Sequence, residues 1–203
     1  FIKHPKRAQA KLTWKGPDGR SIDYVAYAGH TNVREDDGTP IGSVFSLDYI
    51  ADCGDAQGRP VTFAFNGGPG SASVPINVGG IGPMTVVPSS DRRIGPAPFE
   101  IEDNPNTMLW VTDLVFIDAI GTGWSDFATG VETKRAWGID KDADCFARFI
   151  EAWLERTGRW NSPIYLFGES YGTTRNAVLA RILKMQNKGI PPANLYFKGD
   201  VLL

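Results

Sequence analysis

The sequence lacks an excess of charge of either sign. Twenty-one lysines and arginines stand against 23 aspartates and glutamates, which gives a formal net charge of -2 at pH 7. Proteins that bind nucleic acid or an anionic membrane surface normally carry a basic excess, because Lys and Arg contacts with phosphate supply much of the affinity. No apolar run is long enough to cross a bilayer. The sequence therefore predicts no nucleic-acid partner and no membrane partner.

Cysteine and histidine are also scarce, with two residues of each type. Cys53 falls in a predicted loop and Cys145 in a predicted helix, and they define no redox compartment because they can pair only if the fold brings them together. Neither a metal-ligand cluster nor a phosphate loop is evident, so we expect no metal and no cofactor. The chain begins Phe-Ile-Lys-His-Pro, which fits a mature or trimmed N-terminus because it has neither an initiator methionine nor an apolar signal core.

Residues 168–172, Gly-Glu-Ser-Tyr-Gly, are the most informative feature that is present. They follow a short apolar run, 164–167, typical of a buried strand, and they precede a helical pattern that ends near Gly189. A serine on a sharp strand-to-helix turn lies in strained backbone geometry, and glycines two positions away avoid collisions with the strand and the helix. The pattern predicts a nucleophile elbow with Ser170 as the nucleophile. The alternative is a structural turn whose serine caps the helix.

A second glycine-rich loop, Asn-Gly-Gly-Pro-Gly at residues 66–70, follows the apolar run 61–65 as a loop follows a buried strand. Acyl transfer requires hydrogen-bond donors that are aimed at the oxyanion. In α/β hydrolases these donors are the backbone amide after the nucleophile and one amide from an early glycine-rich loop. We therefore predict that the amides of Tyr171 and Gly68 form the oxyanion hole. The alternative is a plain tight turn between two strands.

These two loops and a third segment resemble the signature blocks of the serine carboxypeptidases. The blocks are residues 65–71, residues 116–125 with Phe-Ile-Asp and Gly-Thr-Gly-Trp-Ser, and residues 168–172. Their order agrees with the family, and the resemblance extends from about residue 61 to residue 203. It implies a peptide substrate with a free C-terminus, an acyl-enzyme on Ser170, and an oxyanion hole at the positions predicted above. It also implies a secreted or cell-envelope location.

The resemblance further assigns residues to the substrate. Asn66, Gly67 and Glu169 are predicted to contact the peptide, and Asn66 and Glu169 would hold the free carboxylate of its last residue. Two carboxyl groups can lie side by side only while they share a proton, so we expect substrate affinity to be highest at acidic pH. The alternative for Glu169 is an ion pair below the turn.

Three positions depart from the family pattern. Ala64 stands where many relatives carry tryptophan, Ser71 where many carry a disulfide cysteine, and Gly80 where some carry a second substrate-binding glutamate. Because a different carboxylate pocket could admit other acyl donors, an esterase or acyltransferase on the same scaffold is an alternative. A catalytically inert binding or assembly fragment is the alternative from another functional class.

A serine nucleophile needs a general base, and in α/β hydrolases the triad runs serine, acid, histidine along the chain. His4 and His30 both precede Ser170, and Asp200, in the closing strand pattern, is the one late aspartate. We therefore expect the triad aspartate and histidine to come from outside this chain, from a second polypeptide or a missing C-terminal segment. The chain alone is then expected to be inactive.

The order of elements predicts an α/β fold, an α/β-hydrolase-type three-layer domain with a mostly parallel central sheet that is incomplete at its C-terminal side. Residues 1–203 would be the N-terminal part of this single domain. Residues 1–60 form a β-rich lead-in hairpin with strands over 21–28 and 42–50, and residues 61–203 form the core that carries the nucleophile.

Four further segments are assigned by their patterns. A helix over 133–156 has a broad apolar face and should pack on the sheet. The loop 121–125 follows a strand and is expected to line the active site. Residues 79–106, rich in Gly, Pro and Ser, form a long surface excursion that either selects substrate or only connects. Residues 194–203 form the last strand.

Overall fold

The structure, a computed structural model, describes residues 7–87 and 97–186 and the backbone of residues 197–202. An eight-stranded mixed sheet organises this part of the chain, and a separate two-stranded sheet lies beside it. The elements follow in chain order: β1 (Arg7–Lys15), β2 (Ser21–Arg34), β3 (Pro40–Ala51), β4 (Val61–Phe65), α1 (Val74–Ile76), β5 (Met84–Val86), β6 (Ile101–Asp103), β7 (Asp113–Ile117), β8 (Asp126–Phe127), α2 (Ile139–Thr157), β9 (Ile164–Gly168), α3 (Tyr171–Gln186) and β10 (Phe197–Leu202).

The sheet order places three loops at one edge. The strands run β1-β2-β3-β7-β4-β9-β10, and β8 pairs with β3. The pairs β7-β4, β4-β9 and β9-β10 are parallel, whereas β1, β2 and β3 continue the sheet in antiparallel pairs. Phe65 lies opposite Gly168 in the register, so β4 and β9 end at the same level. The loops that follow β4, β7 and β9 therefore meet at the carboxyl edge, where open α/β sheets bind their ligands.

The central strands are covered on both faces. Nearly every side chain of β4, β7 and β9 is buried, as expected for parallel strands between two layers. Because successive side chains alternate between faces, Phe63 and Phe65 pack with Phe146 and Trp153 of α2, and Ala64 faces the opposite cluster. Burial of one such aromatic side chain contributes about 2 to 3 kcal/mol to folding.

The opposite face is built from a different set of residues. Trp14, Tyr24, Leu114 and Phe116 belong to its buried cluster. The indole Nε1 of Trp14 donates to the carbonyl of Asn104 at 2.9 Å, which fastens β1 to the segment after β6. The predicted α/β fold is therefore confirmed, with parallel strands at its centre and an antiparallel extension on one side.

The hairpin predicted over 21–50 is confirmed, and its strands are longer than predicted. β1 was not predicted. Polar and apolar residues do alternate along β1, but two of its four apolar residues are alanines, which give a weak strand signal, and six consecutive side chains are exposed. The β5-β6 pair lies inside the predicted excursion 79–106, so part of that excursion is regular structure.

The predicted helix over 133–156 is wrong at its start. Residues Thr133–Arg135 form a separate 3-10 turn, and α2 begins only at Ile139. Gly138 has φ 101°, which a right-handed helix cannot contain, so the two segments cannot be one helix. The helix following Ser170 is confirmed as α3, but its predicted end at Gly189 lies outside the described residues. The last strand is described over Phe197–Leu202.

No helix in the described part of the chain is both long and apolar enough to span a membrane. Across the same residues, no group of three or more His, Cys, Asp or Glu side chains is placed to hold a metal ion. Cys53 is exposed and Cys145 is buried, and both thiols are free.

Candidate active site

Ser170 lies in the turn that joins β9 to α3. Among the described residues it is the one non-glycine residue in the left-handed region, with φ 54°. This conformation costs an L-residue about 1 to 2 kcal/mol. The turn is closed by the amide of Gly172, which donates to the carbonyl of Glu169 at 2.7 Å, and by the amide of Thr173, which donates to the carbonyl of Ser170 at 2.9 Å. The local geometry is that of a strained strand-to-helix elbow.

The two glycines that flank the elbow are required by close backbone packing. A Cβ atom at Gly168 would collide with the carbonyl group of Gly172. A Cβ atom at Gly172 would lie 3.1 Å from the carbonyl oxygen of Phe65 at the end of β4. Larger residues at these positions would open the turn or separate α3 from the sheet.

The loop after β4 lies directly against the elbow. A Cβ atom at Gly67 would lie 2.5 Å from the carbonyl oxygen of Glu169 and 2.5 Å from the amide nitrogen of Tyr171. The amide of Glu169 donates to the carbonyl of Phe65 at 3.3 Å. The structure thus brings together all six residues that sequence analysis selected: Asn66, Gly67 and Gly68 on one loop, and Glu169, Ser170 and Tyr171 on the other.

Asn66 holds its own loop in shape. Its side-chain Oδ1 accepts the amide of Gly67 at 2.9 Å, and its Nδ2 donates to the carbonyl of Ala72 at 3.3 Å. Its backbone amide donates to the hydroxyl of Ser73 at 3.2 Å. Because an amide group carries two N–H donors, one donor of Asn66 is left for another acceptor.

Asp118 joins two of the three loops. This buried carboxylate accepts the amide of Ser73 at 2.8 Å and the amide of Trp124 at 3.2 Å. The hydroxyl of Ser125 donates to the backbone carbonyl of Asp118 at 2.8 Å. A Cβ atom at Gly123 would collide with the carboxylate, so this loop also requires glycine. Asp118 therefore fixes the loop after β7 relative to the loop after β4.

Arg175 is a buried cation beneath the elbow that sequence analysis missed. Its Nε donates to Asp142 at 2.7 Å, and one terminal nitrogen donates to the carbonyl of Asn66 at 2.9 Å. The guanidinium also lies 4.3 Å from the ring centre of Phe146 and 5.2 Å from that of Tyr171. Arg175 thus connects α3, the first turn of α2 and the loop after β4.

Tyr171 shares this environment. Burial, together with the nearby Asp142 carboxylate, raises the pKa of the Tyr171 hydroxyl. The phenol is therefore neutral throughout the physiological range. Its ring covers the guanidinium of Arg175 while its backbone begins α3.

A cleft of about 520 Å³ opens beside these loops. This volume is within the range of small-molecule sites, roughly 300 to 1,000 Å³. Its wall combines both candidate loops with α2 and the loop after β7, through Gly70, Thr122, Trp137, Ile139 and Tyr171. The loop 121–125 was predicted to line the active site, and the presence of Thr122 in the cleft wall agrees with that prediction. Trp137 and Ile139 are exposed and form an apolar rim.

His30 does not reach the elbow. It lies on β2, which is separated from β9 by four inter-strand spacings. At about 4.8 Å per spacing, the two strands are about 19 Å apart across the sheet. Its Nε2 is 2.9 Å from the carbonyl oxygen of Trp124, and its ring packs on Phe45 with centres 5.3 Å apart. His4 lies outside the described residues. Within the described part of the chain, Glu169 makes no ion pair, so the alternative of an ion pair below the turn finds no support there.

The parallel strands, the crossover helices and the strained serine turn define an α/β-hydrolase fold. The chain belongs to the serine carboxypeptidase family, whose model matches residues 19–202. The resemblance seen in the three sequence blocks is thereby confirmed.

The similar curated proteins are carboxypeptidases or carboxypeptidase-like. Serine carboxypeptidase-like 29 of Arabidopsis thaliana is 27% identical over 203 residues, which cover 96% of this chain and 38% of that protein. Serine-type carboxypeptidase F of Aspergillus niger is 30% identical over 119 residues, 56% of this chain and 20% of that protein. The chain spans less than two-fifths of the length of these relatives.

Solved structures agree on the fold. A prohormone-processing carboxypeptidase from Saccharomyces cerevisiae, Kex1(Delta)p, superposes with a TM-score of 0.64 at 20% identity, over 98% of this chain and 38% of that one. A mutant of the rice cell wall degrading esterase LipA from Xanthomonas oryzae gives a TM-score of 0.52 at 12% identity, over 95% of this chain and 48% of that one.

Proposed function

We propose that the chain carries the nucleophile and the oxyanion hole of a serine-type carboxypeptidase. Ser170 would attack the carbonyl of a peptide's last bond while its proton passes to a histidine. The released residue leaves with that proton, and water then hydrolyses the acyl-enzyme. The observation that carries the proposal is the strained Ser170 in a turn whose backbone, at Glu169 and Tyr171, lies directly against Gly67 of the loop after β4.

The amides of Gly68 and Tyr171 are the proposed oxyanion donors. A donor of this kind contributes about 10²- to 10³-fold to turnover. Support comes from the packing of Gly67 against the amide of Tyr171, which holds the two donor segments together. The bond from Arg175 to the carbonyl of Asn66 fixes the same loop from below.

Asn66, Gly67 and Glu169 are the proposed contacts of the terminal carboxylate. The remaining N–H donor of Asn66 suits a carboxylate oxygen, and Glu169 adjoins the nucleophile in the chain. Because Glu169 would share one proton with the substrate, KM should rise as the pH increases from acid to neutral. A KM that does not change over this range would remove Glu169 from the substrate site.

The proposed base and acid come from outside the chain, either from a second polypeptide or from a C-terminal segment. The distance of His30 from β9 supports this assignment. Residues 1–203 would then form the N-terminal part of one α/β-hydrolase domain, with 1–60 as lead-in hairpin and 61–203 as core. The direct pairing of β3 with β7 supports one continuous sheet across that boundary. A secreted or cell-envelope location belongs to the same proposal, on family grounds.

A pair of peptides tests the activity. The active enzyme that contains this chain should release the last residue from a peptide with a free C-terminus and leave the C-terminally amidated peptide intact, as measured by mass spectrometry. A Ser170→Ala variant is the control and should release nothing. Preference for an ester over either peptide would favour the esterase or acyltransferase alternative, and equal cleavage of both peptides would contradict recognition of a free C-terminus. A Ser170→Ala variant that still performs the biological role of the protein would favour the inert binding or assembly fragment, because that role would not need the nucleophile.

A further inference from the structure

A second cavity, of about 430 Å³, lies between α2 and the outer strands β1, β2 and β3. None of its lining residues lines the candidate active-site cleft. Its polar wall carries Arg7, Tyr27, Asp48 and Arg156, and its apolar wall includes Trp153.

Two guanidinium groups share one carboxylate at this cavity. Arg7 contacts Asp48 at 2.6 Å with its side chain 15% exposed, and Arg156 lies 3.8 Å from the same oxygen with its side chain 33% exposed. Asp48 also accepts the indole N–H of Trp153 at 2.9 Å and the hydroxyl of Ser46 at 2.7 Å. Asp48 therefore already accepts three hydrogen bonds, and among the described residues the pair of arginines shares a single negative charge.

The arginines also retain unused donors. Within the described residues, one terminal nitrogen of Arg7 is buried and has no hydrogen-bond partner. A buried donor in this state is unfavourable because it has lost its hydrogen bonds to water. Arg156 donates to the neutral hydroxyl of Thr31 at 2.6 Å. Burial and the nearby Arg7 cation lower the pKa of Arg156.

The neighbouring arginine does not remove this excess. Arg159, which also lines the cavity, pairs with Asp113 at 2.8 Å, and Arg59 contacts the same carboxylate at 2.8 Å. In the part of the chain that the structure describes, four guanidinium groups therefore share two buried carboxylates here.

The end of α2 borders the cavity, and a helix C-terminus ordinarily disfavours an anion. Three carbonyls at this end have partners. The hydroxyl of Thr157 donates to the carbonyl of Trp153 at 2.8 Å, and Gln57 donates to the carbonyl of Gly158 at 2.6 Å. The amide of Arg159 donates to the carbonyl of Leu154. The charged groups on the described wall of the cavity are Arg7, Arg156, Arg159 and Asp48, so cations are in excess there.

We propose that this cavity binds a small organic carboxylate between Arg7 and Arg156. A planar carboxylate matches the fork of a guanidinium group, and it would supply the missing negative charge. The Tyr27 side chain adds a polar contact, and Trp153 and Ile50 accept the apolar part of the molecule. The volume suits a ligand of a few to about 20 heavy atoms. The site does not depend on the hydrolase chemistry.

Succinate and its neutral diamide, succinamide, test the proposal as isosteric probes. Isothermal titration at low salt should detect binding of succinate and none of succinamide. Arg156→Gln and Arg7→Gln should each weaken the affinity at least tenfold, and Ser170→Ala should leave it unchanged. Arg181→Gln, which removes an exposed arginine of α3, is the matched control and should also bind normally.

The proposal would be overturned if succinate did not bind, or if its binding survived both arginine substitutions. It would also be overturned if sulfate bound as tightly as succinate, because the site would then not select a planar carboxylate. If Arg7→Gln fails to fold by circular dichroism, Tyr27→Leu replaces it as the second variant. Because Ser170→Ala binds succinate under the proposal, loss of peptidase activity and loss of this site are separate outcomes.

Discussion

Replacing Gly67 by alanine tests whether the contact between the loop after β4 and the elbow controls turnover. The Cβ atom that Gly67→Ala introduces would lie 2.5 Å from the Glu169 carbonyl and from the Tyr171 amide, about 0.9 Å inside the 3.4 Å at which ordinary contact begins. Both neighbours are backbone atoms, so no side chain can turn aside. Gly67 is outside the left-handed region, so its backbone angles do not oppose alanine.

The expected magnitude follows from this displacement. Overpacking of this kind costs about 1 to 3 kcal/mol of stability. A shift of about 1 Å between reacting groups reduces the rate about 10²-fold. Because oxyanion donors act on the transition state, the loss should appear mainly in kcat.

Steady-state hydrolysis of a peptide by the active enzyme measures the effect, and urea unfolding measures the stability. Gly79→Ala is the matched control, because a Cβ atom there meets nothing within 4 Å and Gly79 is also outside the left-handed region. It should retain full turnover and stay within about 0.5 kcal/mol of the parent protein. A Gly67→Ala enzyme within about threefold of the parent kcat would refute the argument that this contact positions the oxyanion donors.

Three further substitutions or labels test separate parts of the structure. Ser170→Gly relieves the left-handed strain that Ser170→Ala keeps, so by urea unfolding it should be about 1 kcal/mol more stable than Ser170→Ala, and equal stability would contradict the strain. Arg175→Met leaves the largely buried carboxylate of Asp142 unpaired and should lower the free energy of unfolding by about 3 kcal/mol. Arg181→Met removes an exposed ion pair on the same helix and should lower it by less than about 0.5 kcal/mol. Equal losses would contradict the structural role of the buried pair. Burial raises the pKa of the Cys145 thiol to about 12, so iodoacetamide at pH 8 should label only Cys53 in the native protein. Both thiols should be labelled after denaturation. Two adducts on the native protein, measured by mass spectrometry, would show that Cys145 is accessible.

The elbow and the glycine loop could be predicted because their requirements are local. A left-handed turn and a close backbone approach select glycine at fixed positions, and residues 66–70 and 168–172 satisfy that selection in sequence. The meeting of these loops follows from parallel strands that end at one edge. The apolar runs at β4 and β9 were sufficient to predict those strands.

Arg175 could not be predicted because its partners are distant in the chain. It contacts Asn66 across 109 positions and Asp142 across 33, and only the packing of α2 against α3 brings them together. An arginine within an apolar helical pattern is a weak signal of such a buried pair. β1 was missed although its residues alternate between polar and apolar, because two of the four apolar residues are alanines and make the signal weak. The start of α2 was missed because the left-handed angle of Gly138 is not encoded by hydrophobic periodicity.

The proposed function requires Ser170 to be an activated nucleophile. Reaction of the active peptidase with a fluorophosphonate, followed by intact mass analysis and peptide mapping, tests it most directly. We expect one adduct per active site, located on Ser170, with loss of activity in proportion to labelling. An adduct on another residue, or inactivation that leaves Ser170 unmodified, would contradict it.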